Sequence, residues 1–196
     1  MADIIDLLAG IAPGSRLEAV RNQRPQAREN AQRSFEALLE PADPGTFPLS
    51  ERYAVAAFAA GLHGFDAATA FYRDLLGDEA PELVGAVDLQ VRAGASRGPY
   101  GVYREPGLAA ESVPGEAWAP SPGLDSRLAA AFAHVHLLVF RPREASAAAI
   151  RSLADAGWSA NDIVSLSQLV AFLAFQLRLA WGLKALRQAQ EPREAA

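Results

Sequence analysis

Three side chains in the first half of the chain have the chemistry expected of an acid-base or ligand-binding site. His63 can act as a general base or as a hydrogen-bond partner of a substrate. Tyr53 and Tyr72 can form a phenolic pair that binds a polar ligand or donates a proton. Each also has a structural explanation, because the helix dipole favours histidine at a helix C-terminus and core tyrosines commonly have satisfied hydroxyls.

A second group of polar residues follows in the last third of the chain. Ser165, Gln168, Phe172 and Gln176 recur at helical intervals and predict one partly polar stripe on a helix. Such a stripe lines a ligand cavity or forms a buried hydrogen-bond network between helices. Arg178 follows in nearly apolar surroundings, so it needs a carboxylate or carbonyl partner, or else a bound substrate carboxylate.

His134 and His136 form an H-x-H pair that could suggest a metal site. On a strand both imidazoles would lie on one face. On the helix predicted here they lie about 200° apart and cannot share an ion. We therefore predict no metal site, and no cofactor is expected.

Composition excludes several classes of function. The chain has 196 residues and no cysteine, which excludes disulfides and thiolate metal sites. Its net charge of −5 gives no electrostatic reason to bind nucleic acid or an anionic membrane. Basic residues cluster near the N-terminus, where Pro25 and interspersed glutamates predict a solvated face rather than a phosphate site. This face comprises Arg16, Arg21, Arg24, Arg28 and Arg33.

The location of the protein is predicted from its hydropathy. The N-terminus is acidic and lacks the basic start of a signal peptide. The longest apolar stretch, residues 163–183, is interrupted by Gln168, Gln176 and Arg178, and an arginine inside a membrane is costly. We therefore expect a buried helix of a soluble protein, a cytoplasmic location and no membrane partner.

Alanine and leucine dominate, and helical spacing recurs throughout, so the sequence predicts a single all-α domain over residues 1–196. Ser50 is the predicted N-cap of the third helix and Ser159 that of the last. The predicted helices are Asp3–Ala12, Ala27–Leu39, Ser50–Leu62, Asp66–Leu76, Pro81–Val91, Asp125–Val139, Ala145–Ala156 and Ser159–Leu186.

The organisation of the domain is predicted from the same pattern. The core is expected over residues 27–187, and the last helix, apolar nearly all round, is placed at the centre of the bundle. Residues 94–123 are rich in proline, glycine and aromatics and form a long loop, interpreted as functional or as an oligomer arm. The tail, residues 188–196, is expected to be frayed and disordered.

Several segments carry a resemblance to a known family. Residues 136–145, 150–159, 162–166 and 170–180 resemble the C-terminal half of the alkylhydroperoxidase D-like, or carboxymuconolactone decarboxylase-like, superfamily, in its peroxidase-related branch. Leu49-Ser-Glu-Arg52, Leu62-His-Gly64 and Leu75-Leu-Gly-Asp78 resemble the segment around that family's active site. The resemblance implies a multi-helix bundle. It also suggests a structural or subunit-contact role for Arg178.

The redox members of that family carry Cys-x-x-Cys-x-x-x-His, with a glutamate one helix earlier. Aligned with this pattern, Phe65 and Ala68 occupy the cysteine positions, Tyr72 the histidine position and Tyr53 the glutamate position. Peroxide reduction by this route needs an attacking thiolate and a resolving thiol, which phenylalanine and alanine cannot provide. The decarboxylase members also depend on the histidine that Tyr72 replaces.

Three hypotheses about function follow. The protein binds a small apolar or acidic ligand in the former active-site cavity; or it is a non-thiol acid-base enzyme of decarboxylase or lactone-acting type; or it is a structural subunit that partners a thiol-bearing paralogue. We expect a homo-oligomer, a dimer or larger. The residues expected at the pocket are Tyr53, His63, Phe65, Ala68, Tyr72, Gln168, Gln176 and Arg178.

Overall fold

A computed structural model describes the backbone of residues 3–190 and the side chains of residues 3–189. These residues form nine α-helices, two short 3-10 helices and no strand, so the predicted all-α class is confirmed. All eight predicted helices are present, and α2 is the one that was not predicted. The helices are α1 (Ile4–Ala9), α2 (Arg16–Asn22), α3 (Pro25–Leu39), α4 (Leu49–His63), α5 (Asp66–Glu79), α6 (Pro81–Gly94), α7 (Ser126–Phe140), α8 (Ala147–Asp155) and α9 (Ala160–Gln190).

Local signals in the sequence explain where most helices begin and end. Ser159 precedes α9 and its hydroxyl accepts a hydrogen bond from the Asp162 N–H at 3.1 Å, as predicted for an N-cap. Gly64 ends α4 with a left-handed φ of 66°, a conformation that glycine adopts without strain. The predicted cap at Ser50 was wrong, because α4 already begins at Leu49, after the extended Pro48.

The helix at the centre of the fold is α4, and not the C-terminal helix as predicted. It packs against α5, α6, α7 and α9, and residues 52–60 are all buried. Most of these residues are alanine, so neighbouring helices approach α4 closely. At Gly61 the approach is closest, because an added Cβ would lie 2.6 Å from the Val91 side chain of α6.

One face of α9 packs on the bundle and the other is exposed. The packed face contacts α1, α3, α4, α7 and α8. By length and composition alone α9 is apolar enough to cross a membrane, but half of its most apolar window is buried in the fold. A core helix of a soluble protein has the same properties, so this is weak evidence for a membrane span.

The N-terminal segment is tied to the bundle by a buried ion cluster. Arg21 bonds the carboxylates of both Asp3 and Asp6, and Arg28 bonds the same two carboxylates. The prediction of a solvated basic face was therefore wrong for Arg21 and Arg28, which are spaced seven residues apart and converge on α1. The apolar side of α1 joins the core, which thus begins before residue 27.

Residues 95–125 connect α6 to α7 without an α-helix, as predicted. They contain one 3-10 helix, Pro106–Glu111, and an isolated antiparallel bridge between Gly101 and Val113. At the other end of the chain, residues 188–190 continue α9, and the remainder of the predicted tail lies outside the described residues.

Two arginines, Arg127 and Arg52, hold the beginning of α4 through hydrogen bonds to backbone carbonyls and to Glu51. Arg127 of α7 donates to Glu51 Oε1 at 2.9 Å, to the Thr46 carbonyl at 2.7 Å and to the Gly157 carbonyl at 2.8 Å. Its guanidinium carbon lies 4.0 Å from the ring centroid of Trp158.

Arg52 extends the same arrangement one turn into α4. It is 6% exposed and donates to the carbonyls of Phe47 at 2.7 Å and Leu38 at 2.6 Å. This arginine therefore fixes the α3–α4 connection through backbone carbonyls.

Candidate functional site

The corner between α4 and α5 positions His63. Gly64 turns the chain sharply after α4, and Phe65 leads directly into α5. His63 is therefore the last residue of the central helix, and its half-buried ring faces outward from the core toward the connection that follows α6. Its place is fixed by the left-handed turn rather than by contacts of its own side chain.

Four segments enclose a cavity of about 410 Å³ beside His63, which we call the His63 cavity. One wall is the end of α4, a second is the connection after α6, a third is the end of α7, and Arg178 of α9 completes it. The lining residues are Leu62, His63, Ser96, Arg97, Gly98, Pro99, Val139, Phe140 and Arg178.

The connection after α6 is held against α7 at close range. The Tyr100 N–H donates to the Phe140 carbonyl. A Cβ at Gly98 would lie 2.9 Å from Phe140 Cδ1 and 3.3 Å from its backbone, so only glycine fits at this point. The wall that carries Arg97 is thus held against α7 by the residues that directly follow Arg97.

Electrostatics in the His63 cavity favour a neutral imidazole. Burial, and to a smaller extent the positive charge of Arg178, lower the pKa of His63 to about 4. Its Nε2 atom is buried and has no hydrogen-bond partner among residues 3–190. A buried polar atom without a partner costs free energy, and a ligand at this atom would remove that cost.

Two arginines face the same space. Both are exposed, and among the described residues neither Arg97 nor Arg178 has a carboxylate within 4 Å. Arg178 makes a long 3.4 Å bond to the Ala174 carbonyl. Leu62, Val139 and Phe140 form the apolar part of the lining. The arrangement suits an anion with an apolar portion, since guanidinium groups and a neutral imidazole can all donate to carboxylate or phosphate oxygens.

The structure places Tyr53 and Tyr72 in the core rather than at this cavity. The Tyr72 hydroxyl has no exposed surface around it and donates to Gln176 Oε1, which joins α5 to α9. Burial raises the pKa of Tyr72 far above its ordinary value and, to a smaller extent, that of Tyr53. Both phenols therefore stay protonated at neutral pH.

The two positions aligned with the family's cysteines are also buried. Ala68 is 0% exposed and Phe65 3% exposed. The Phe65 ring stacks on Trp181 with centroids 6.0 Å apart, and Lys184 lies over its face. Phe65, Trp181 and Lys184 border a separate, smaller cavity of about 210 Å³ at the α4–α5 turn, and Ala68 does not line it.

The polar stripe predicted on α9 is divided between two faces. Gln176 is completely buried against Tyr72, whereas Gln168 is exposed and borders a groove between α8 and α9. Eight residues at 100° each amount to two turns and a further 80°, so these two glutamines cannot share a face. His63 and Arg178 are the predicted site residues that the structure brings together.

The two histidines of α7 point to different elements. His134 Nε2 lies 3.2 Å from Ser167 Oγ in α9, whereas His136 Nε2 lies 3.1 Å from the Gly94 carbonyl at the end of α6. Both rings are buried, which lowers the pKa of each. The His136 ring also stacks on Trp118, with centroids 4.9 Å apart, and packs tilted against Phe140 at a centroid distance of 4.8 Å.

Sequence reasoning missed Arg97, Gly98 and Phe140 as parts of the cavity. The signal available was the interpretation of residues 94–123 as a functional loop, which includes Arg97 but does not single it out. The cavity joins residues separated by more than eighty positions, and one sequence does not reveal that pairing. Comparisons with family models, with curated proteins and with solved structures found no significant match to this chain.

Proposed function

We propose that the protein is a thiol-free member of the alkylhydroperoxidase D-like superfamily that binds a small organic anion in the His63 cavity. The all-α architecture and the α4–Gly64–α5 corner, with Phe65 and Ala68 at the aligned cysteine positions, support this proposal. The absence of cysteine excludes the thiol route to peroxide reduction.

One observation carries the binding proposal. The unpartnered Nε2 of His63 occurs in a cavity bordered by two arginines that lack a carboxylate partner among the described residues. Native proteins seldom leave buried polar atoms unsatisfied, and such atoms in concave sites are candidates for ligand contacts. A carboxylate would bond Arg178 and His63 simultaneously, with its apolar part against Phe140.

Binding is favoured over acid-base catalysis. A general base is most effective when its pKa lies near the working pH. With a pKa of about 4, His63 is neutral but only weakly basic at pH 7. The tyrosines lie in the core and hold their protons tightly, so they offer no second acid-base group within the cavity.

The proposal predicts that a negative charge on the ligand is needed for affinity. Titration calorimetry with benzoate, phenylacetate and benzyl alcohol measures this directly. We expect the two carboxylates to bind and Arg178→Met to weaken them about tenfold or more, as for a lost charge-assisted hydrogen bond. His63→Gln should weaken them less.

A matched control is Arg73→Met. Arg73 is an exposed arginine of α5 that pairs with Asp88, far from the cavity lining. Its substitution should leave the affinity for benzoate unchanged. Equal binding of benzyl alcohol and benzoate, or equal losses in the Arg73 and Arg178 variants, would contradict an anion site.

A further inference from the structure

The His63 cavity carries more positive charge than a single carboxylate balances. Arg97 borders it on the connection after α6, and Arg178 borders it on α9. Among the described residues neither has a carboxylate within 4 Å, and no acidic residue occurs in the described lining. His63 is neutral at pH 7, so the two guanidinium groups supply the whole charge of the lining. A monoanion would balance half of it, whereas a dianion would balance all of it.

The hydrogen-bond donors of the cavity come from three elements. His63 ends α4, Arg178 belongs to α9, and Ser96 and Arg97 belong to the connection after α6. The Ser96 hydroxyl makes a long 3.4 Å bond to the Arg97 carbonyl, which leaves it free to turn toward a stronger acceptor.

The number of ligand oxygens distinguishes the two common anionic groups. A carboxylate has two oxygens in one plane, and a single guanidinium can bond both of them. The phosphate group of a monoester has three strong acceptor oxygens and a charge of about −1.5 to −2 at pH 7. Donors that come from three elements, with two positive charges among them, suit the phosphate group better.

One head group can contact both His63 and Arg178. The positive charge of Arg178 contributes to the low pKa of His63, which places the two groups within interaction range of each other. The Nε2 atom of His63 is buried and has no partner among residues 3–190. In the Nε2–H tautomer the neutral imidazole can donate to an oxygen of a group that Arg178 holds.

The rest of the lining is apolar. Leu62, Val139 and Phe140 are 8%, 9% and 6% exposed and border the cavity from the ends of α4 and α7. The volume of about 410 Å³ lies within the range of small-molecule sites, about 300–1,000 Å³. A bare phosphate ion would leave most of this space unfilled. An organic portion attached to the phosphate would fill it and contact the apolar side chains.

We propose that the His63 cavity binds a phosphate monoester, which combines a dianionic head group with an apolar organic portion. Arg97 and Arg178 bind the phosphate oxygens from two elements. His63 and Ser96 donate to the same group, and Phe140 contacts the organic portion. This inference rests on the anion site proposed above and narrows its ligand from organic anions in general to one chemical class.

Titration calorimetry at pH 8 tests the proposal with the full chain. The second pKa of a phosphate monoester is about 6, so phenyl phosphate is a dianion at this pH. We expect it to bind at least tenfold more tightly than benzoate, because its second charge adds a charge-assisted bond to Arg97. Methyl phenyl phosphate has the same ring and one negative charge, and should bind no more tightly than benzoate. Equal affinities for phenyl phosphate and its methyl ester would overturn the proposal.

Substitution of Arg97 tests the origin of the preference. Arg97→Met should reduce the preference for phenyl phosphate over benzoate to about twofold or less. The matched control is Arg104→Met, an exposed arginine of the same connection that lies outside the cavity lining. Among the described residues Arg104 also has no carboxylate within 4 Å. Its substitution should leave the preference unchanged, and equal effects of the two substitutions would contradict the proposal.

Further ligands separate this inference from the anion site on which it rests. If benzoate binds and phenyl phosphate binds no more tightly, the phosphate inference is wrong and the anion site stands. If neither binds, both are wrong. Inorganic phosphate that binds as tightly as phenyl phosphate would assign the site to the free ion. Isophthalate that binds more tightly than phenyl phosphate would assign it to two separate carboxylates, and either result overturns the proposal of a monoester.

Discussion

The two ends of α4 treat their polar side chains in opposite ways. At the beginning, Arg127 contacts the carboxylates of Glu51 and Asp162, two backbone carbonyls and the Trp158 ring, although Glu51 Oε2 has no partner among residues 3–190. Arg52 donates to backbone carbonyls. At the end, the Nε2 atom of His63 has no partner among residues 3–190, and Arg178 has no carboxylate. The same residue type thus bonds mainly to the protein itself at one end of α4 and has no carboxylate partner in the described chain at the other.

This difference distinguishes arginines that contribute to the stability of the fold from arginines whose removal should leave stability unchanged. The Arg127 cluster joins α4 to α7, α9 and the connection before α4, so its charges are compensated within the fold. Around His63, Arg97 and Arg178 are exposed to solvent and have no carboxylate within 4 Å in the described part of the chain, so both are available to a ligand. A ligand anion is the simplest group that would balance them.

The largest expected effect is at the beginning of α4. Arg127→Met leaves the buried Glu51 and two carbonyls without their donor, and should lower the free energy of unfolding by about 3 kcal/mol. Urea denaturation measures the loss. If benzoate binds the wild-type protein, it should bind this variant with the same affinity under folding conditions. A loss of less than about 1 kcal/mol would show that the cluster is not structural.

The second-largest expected effect is a dependence of stability on pH, caused by His63 at the end of α4. The pKa of His63 is about 4 in the folded protein and near 6.5 when unfolded, so the unfolded chain binds protons more readily between these values. Stability is therefore lost as pH falls from 6.5 toward 4, by about 2 kcal/mol after allowance for partial exposure.

His63→Gln isolates this contribution, because His134 and His136 also have lowered pKa values and act in the same direction. Unfolding free energies at pH 7 and pH 4.5 for both proteins give the difference. The slope with pH should be smaller in the variant. An unchanged slope would mean that His63 keeps its ordinary pKa.

The smallest expected effect on stability is that of replacing Arg178, and it contrasts directly with the effect of replacing Arg127. Arg178→Met keeps an apolar stem and removes a charge that has no carboxylate partner in the described chain, so the unfolding free energy should change by no more than about 0.5 kcal/mol. The same urea titration applies. Destabilisation comparable to that of Arg127→Met would remove the distinction between the two ends.

The sequence predicted helices well and their arrangement poorly. Caps and breakers, such as Ser159 and Gly64, act locally and can be identified from neighbouring residues. The central position of α4 could not be identified in this way, because α9 is longer and contains a longer apolar stretch, whereas α4 becomes central through close packing by its neighbours. The length and hydropathy of α9 therefore led to the wrong prediction of which helix is central.

The candidate site was predicted in part. His63 and Arg178 were singled out separately, one as the last residue of a helix and the other as a charge in apolar surroundings. Their proximity depends on the crossing of α4 and α9, which no local pattern encodes. Arg97 was missed because its position depends on Gly98 and Phe140, whose contact is decided by tertiary packing.

Gly61 makes the cavity sensitive to a position outside its lining. An added methyl group there would press on Val91 and displace α6, whose end leads directly into the wall that carries Arg97. Variation at position 61 would thus change the width of the cavity without altering any residue that a ligand touches. A substitution at Gly61 would thus alter ligand preference by changing the spacing between α4 and α6, while the residues that line the cavity stay the same.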